Sequence, residues 1–145
     1  DSTSNEWYVT GVQLEAGTTA SEFEFLPHDV NLRRCQRYFE KIDKSTTETI
    51  ICLGTGVSAS QIFGRVYFAT EKRAVPSGTV SSAGHIQALT GNASAWSTAT
   101  GASVGSGDER SMRLNLTGLS SMTTAGCHEV RINDANGFVL YEAEL

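Results

Sequence analysis

Residues 61–70, read as QIFGRVYFAT, alternate so that Ile62, Val66 and Phe68 fall to one side and Phe63, Arg65 and Tyr67 to the other. A period of two is the mark of a β-strand, and a strand carrying bulky apolar groups on both sides needs cover on both. One small sandwich covers a single face of each sheet and leaves the other to water. The same demand returns in residues 137–145, GFVLYEAEL, which stay apolar on both sides until their last positions. A chain of this kind is expected to build β-sheets and to shield their second faces with copies of itself, as a homotrimer.

A length of 145 residues is that of one domain, enough to bury a core without metal or disulfides. Only 19% of residues are charged, and Gly, Ser and Thr are plentiful, which favours strands and turns over helices. The net charge of -5 offers no basic field for phosphates, so nucleic acid and anionic membranes are disfavoured as partners. No apolar run approaches the roughly 20 residues that span a bilayer, and residues 1–6 are not a signal peptide. Cys35, Cys52 and Cys127 form neither a CxxC pair nor an even framework, which suits reduced thiols made in a cytosol. Opening on Asp1 and on a segment that reads like a closing strand, the chain resembles a piece of a longer protein.

Three regions are expected. Residues 1–28 read as an N-terminal β segment, in which Val12 and Leu14 alternate with Gln13 and Glu15, and Phe23 and Phe25 with Glu22 and Glu24. Residues 29–46 read as a helix and linker: Asp29 is placed to cap, and Leu32, Cys35, Phe39 and Ile42 recur at spacings of three and four. Arg33, Arg37, Lys41 and Lys44 make the adjacent stripe basic, so the apolar stripe faces either the core or another subunit. Residues 47–145 read as a mainly β head, an antiparallel, jelly-roll-like β-sandwich of seven or eight strands. Its expected landmarks are a turn at Gly54-Thr55-Gly56, a long polar loop at residues 92–108, alternation of Met112, Leu114 and Leu116, and a hairpin turn at residues 133–137.

Five strings in this order carry a resemblance. They are Gly11-Val12-Gln13-Leu14-Glu15, Phe23-Glu24, Cys35-Gln36-Arg37-Tyr38-Phe39-Glu40, Arg73-Ala74-Val75-Pro76 and Glu142-Ala143-Glu144-Leu145. Spanning nearly the whole chain, they resemble the C-terminal parts of tail-fibre and minor structural proteins of tailed bacteriophages. Lys72 departs from the pattern, where Met is usual, and so do Ser77 and the Leu26-Pro27-His28 approach. The resemblance implies a virion protein assembled in the bacterial host cytoplasm, trimeric fibres, tail proteins upstream and host cell-surface polysaccharide as receptor. In such proteins the Gln-Leu-Glu strand commonly closes an upstream carbohydrate-binding-like domain.

No constellation argues for catalysis, a cofactor or a metal. His28, His85 and His128 lack a ligand neighbour at metal spacing, and His128 falls on the inward side with Val130 and Ile132. Asp108-Glu109 and the pair Glu142 and Glu144 read as a solvated loop and a charged strand edge; no Gly-x-Ser-x-Gly elbow or phosphate-cradling glycine frame occurs. Trp96 is the one residue singled out for binding, since an indole in a polar loop can offer its face and N–H to a sugar ring. Its bland alternative is a ring folded back to seal the sandwich or packed on a neighbouring subunit. The expected function is a receptor-contacting head, with a purely structural capping or decoration module as the rival and a polysaccharide depolymerase as the third reading.

Overall fold

The computed structural model describes residues 8–19, 21–44 and 48–144. Readings that touch residues 1–7, Ala20, residues 45–47 and Leu145 lie outside the described residues, among them the start of the first expected strand and of the sandwich. A helix, α1 (His28–Gln36), is followed by ten strands: β1 (Phe39–Asp43), β2 (Thr49–Ser58), β3 (Gln61–Tyr67), β4 (Ser77–Val80), β5 (Ile86–Leu89), β6 (Trp96–Thr98), β7 (Gly101–Gly107), β8 (Ser111–Thr117), β9 (Cys127–Ile132) and β10 (Phe138–Glu142). The protein is mainly β.

Among the described residues the strands form two antiparallel sheets, one in the order β1-β10-β4 and one in the order β6-β5-β9-β2-β3-β8-β7. They pack as a curled, sandwich-like pair. Alternation decides what lies between them: Ile62 and Val66 of β3, Leu114 and Leu116 of β8, Ile86 and Ala88 of β5 and Val130 of β9 meet Val139 and Tyr141 of β10. The Phe68 ring stands edge-on to Tyr141 with centroids 4.9 Å apart. The expected inward faces of β8 and β9 are those buried, His128 included.

Several local expectations need correction. The helix ends at Gln36, and Phe39 and Ile42 lie on β1, because pairing with β10 outweighs helical spacing. Its N-cap is Pro27, without a side-chain capping bond, so Asp29 lies inside the first turn. Gly54 and Gly56 are not a turn but the middle of β2, where a Cβ on Gly56 would press on the Thr123 carbonyl and come 3.1 Å from His128 Nε2. The turn at residues 133–137 is present, with Gly137 N–H donating to Asp134 O at 2.9 Å, but it carries the chain from one sheet to the other instead of closing a hairpin.

The described residues between 8 and 27 contain no strand. Polar residues make contacts here: Gln13 Oε1 accepts from Glu24 N–H at 2.8 Å, and Glu15 accepts from the Ser21 N–H at 2.6 Å and from its hydroxyl. These bonds hold the Glu15 carboxyl below its usual range. Val12 and Leu14 are 75% and 99% exposed. The face expected to be buried is the one turned to solvent.

Candidate functional site

The seven-stranded sheet has one covered face and one open face, and cross-strand register determines which side chains share the open one. Arg65 of β3 is the partner of Arg113 on β8, which is in turn the partner of Gly105 on β7. Phe63 lies two residues before Arg65, opposite Asn115 and Thr55, and Tyr67 two residues after it, opposite Ser111. Leu53 of β2 is 62% exposed and Tyr67 72%, with Ile50 and Val57 also exposed. The open face therefore carries exposed apolar and aromatic side chains and the polar groups of Thr55, Ser103 and Asn115 around a pair of arginines.

These two cations are treated differently. Arg65 donates from Nε to the Ser111 hydroxyl at 2.9 Å and ion-pairs with Asp108 at 3.6 Å. Asp108 closes the β7–β8 turn by accepting from the N–H groups of Arg110 and Ser111, both at 2.9 Å. The Arg110 N–H bond is the chief reason that its carboxyl stays below the ordinary carboxylate range, and the Arg65 charge acts in the same direction. Arg113 lies with its guanidinium over the Phe63 ring, 4.4 Å from the centroid, and its buried Nε has no hydrogen-bond partner.

Trp96, the residue singled out from the sequence, is not in a loop. It opens the edge strand β6 opposite Leu89, and the segment expected as one long loop holds β6 and β7. The ring is half-buried, with the Arg131 guanidinium 3.7 Å from its centroid. Arg131 is held by Gln87 Oε1 at 3.1 and 2.8 Å and by an ion pair with Glu48. One face of the indole is thus already stacked. Sequence reasoning passed over Arg131, Arg65 and Arg113, although each is the outward residue between two inward apolar ones, or beside them, on a strand.

The other candidates are placed apart. His28 is exposed, while His85 Nδ1 shares a hydrogen bond with the Ser81 hydroxyl at 3.0 Å. Buried His128 lies 2.8 Å through Nδ1 from Leu89 O and is within hydrogen-bond distance of the Thr123 backbone through Nε2. Among the described residues no group of three or more His, Cys, Asp or Glu is placed to hold a metal ion. Glu142 and Glu144 are exposed on either side of buried Ala143. All three cysteines are free thiols; burial pushes Cys52 up to about 12. No helix among the described residues is long and apolar enough to cross a membrane. No protein-family model matches the chain, and neither a curated protein nor a solved structure does.

Proposed function

We propose that this chain is a virion structural protein, the distal domain of a bacteriophage tail fibre, which assembles as a trimeric head and contacts host cell-surface glycans during adsorption. Its partners on this reading are two further copies, other tail proteins upstream and a host polysaccharide, with no catalytic step of its own. The observation that carries the reading is the amount of apolar surface left in water: Val12, Leu14, Phe23 and Phe25 on the N-terminal arm, and Ile50, Leu53, Val57 and Tyr67 on the open sheet face. Contiguous exposed apolar surface marks an interface. Neighbouring copies would cover part of it and multiply weak glycan contacts by avidity.

Sedimentation velocity at micromolar concentration tests the assembly, with a species of three times 15.5 kDa expected and a stable monomer fatal. Glycan-array binding by the same chain tests receptor contact. Assembly without any glycan binding would leave the rival, a capping or decoration module, which the contact-poor arm favours. Loss of polysaccharide viscosity on incubation would instead revive the depolymerase. Trp96 remains a proposed contact through the part of its ring that Arg131 leaves open. If Trp96→Ala stays folded and host adsorption is unchanged, that role is lost.

A further inference from the structure

We propose that Arg113, with Arg65 beside it, forms an anion site on the open face of the seven-stranded sheet that takes the carboxylate of an acidic sugar. This rests on the glycan-contacting reading and specifies the class of glycan.

Four observations converge on that ligand. Arg65 and Arg113 are direct cross-strand partners, and like charges so placed repel unless an anion sits between or above them. Among the described residues Arg113 ion-pairs with no carboxylate, and its buried Nε is left without a hydrogen-bond partner. On its other side stands Gly105, which brings no side chain against the guanidinium; a Cβ there would lie at ordinary contact distance, 3.5 Å. The charges then add to a single positive one: Asp108, held ionised by the turn's N–H groups, offsets Arg65 and leaves Arg113 for the ligand.

The surroundings suit a sugar ring. A planar guanidinium matches a carboxylate with two parallel N–H donors, and Phe63 beneath fixes its plane. Exposed Tyr67 offers an aromatic face and a hydroxyl, while Thr55 and Ser103, both exposed, flank the row of Phe63 and Asn115 with further hydroxyls. A second copy of the chain could bring a carboxylate of its own, but around Arg113 the rings of Phe63 and Tyr67 stand among small hydroxyls, which fits a hydroxyl-rich ligand, while exposed Ile50, Leu53 and Val57 of β2 are left for contact between copies. With a net charge of -5 the chain does not attract polyanions from afar, so recognition depends on contact.

Isothermal titration of the full 145-residue chain with oligogalacturonate, a neutral galactan oligomer of equal length, sodium acetate and inorganic phosphate tests the inference. Oligogalacturonate is expected to bind at least about tenfold tighter than the neutral oligomer, and Arg113→Gln to remove that preference. Arg65→Gln should cost less, and Asp108→Asn should strengthen binding severalfold. If Arg113→Gln fails to fold, Arg113→Lys, which keeps the charge without the fork, is expected to retain only part of the preference. Equal binding of acetate or phosphate alone would overturn the sugar assignment. So would a change in sedimentation on Arg113→Gln without acidic-sugar binding, since the arginine would then meet another subunit. Undiminished binding of neutral glycans with no acidic preference would sink this inference and spare the receptor reading; no glycan binding at all would sink both.

Discussion

Residues 8–37 and residues 39–144 solve the problem of water in opposite ways. The second region buries its alternating apolar residues between two sheets, with Ile62, Leu114, Leu116, Val130, Val139 and Tyr141 all out of contact with solvent. The first buries almost nothing: α1 has no buried residue, and Leu14 and Phe25 are 99% and 89% exposed. A helix of nine residues has little stability by itself, so α1 owes its place to its C-terminal end. There Lys72 Nζ donates to Gln36 O at 2.5 Å and to Glu40 Oε2 at 2.6 Å, and Arg73 N–H donates to Arg37 O at 2.9 Å. The sandwich folds by burial, whereas the described arm is fastened through the end of α1 and leaves much of its apolar surface available.

The sharpest way to break that contrast is a matched pair of truncations. Leu114→Ala should cost about 3–4 kcal/mol, the transfer of a buried leucine plus the cavity it leaves. Leu14→Ala should stay within about 0.5 kcal/mol in the monomer, since that side chain is already in water. Urea denaturation measures both. Equal effects would mean that the arm is part of the core.

The Lys72 clasp, which joins Gln36 O of the first region to Glu40 of the second, comes next in size. Lys72 is buried, its ammonium sits 4.8 Å from the Phe68 ring centroid, and Glu40 also accepts from the Ala69 N–H. Removing one partner of a buried pair strands the other, so Glu40→Ala should cost about 2–3 kcal/mol, below the full penalty because Glu40 keeps some solvent contact. Changing both, Glu40→Leu with Lys72→Met, should recover most of it. Thermal unfolding of the two variants checks the order, and limited proteolysis shows whether the arm detaches first.

What could be read from the sequence follows the same division. Alternation in Met112, Leu114 and Leu116, and in Val130 and Ile132, predicts strands and their buried side correctly because burial is what selects that pattern. It fails at Phe39 and Ile42, where two residues at helical spacing with Leu32 and Cys35 instead pair with β10 across a hundred residues of chain. Gly54 and Gly56 mislead for a related reason: Gly54 spares space for Ile62 and the Phe63 carbonyl on β3, and Gly56 for Thr123 and His128, which only the folded sheet brings near. At the candidate site the sequence points to Trp96 but not to its partner Arg131, nor to Arg65 facing Arg113. Those pairings are set by register between strands, which no local pattern encodes.

Alkaline pH probes the covered face without a mutation. Burial raises the Cys52 thiol from an ordinary value near 9.0 to about 12 and raises the Tyr141 phenol as well. Both groups are neutral in the folded state at pH 7, so neither costs stability there. Because the folded values lie above the unfolded ones, stability is complete below about pH 9 and falls as pH rises through the folded values. Cys52→Ala should flatten the part of that decline that begins near pH 9. At pH 8 a thiol reagent should label exposed Cys35 and Cys127 well before Cys52, and a uniform rate for all three would contradict the burial.

The smallest effect is expected where the sequence promised a sizeable one. An aspartate at a helix N-cap normally contributes about 1 kcal/mol, and Asp29 was the natural candidate for that role. With Pro27 at the cap and no side-chain bond to the first turn, Asp29 acts only through its charge near the positive end of a short, exposed helix. Asp29→Asn should therefore change stability by less than about 0.5 kcal/mol, and added salt should erase even that. A larger loss that persists in salt would mean that Asp29 makes a contact in the assembled protein, and so that α1 lies at an interface between copies.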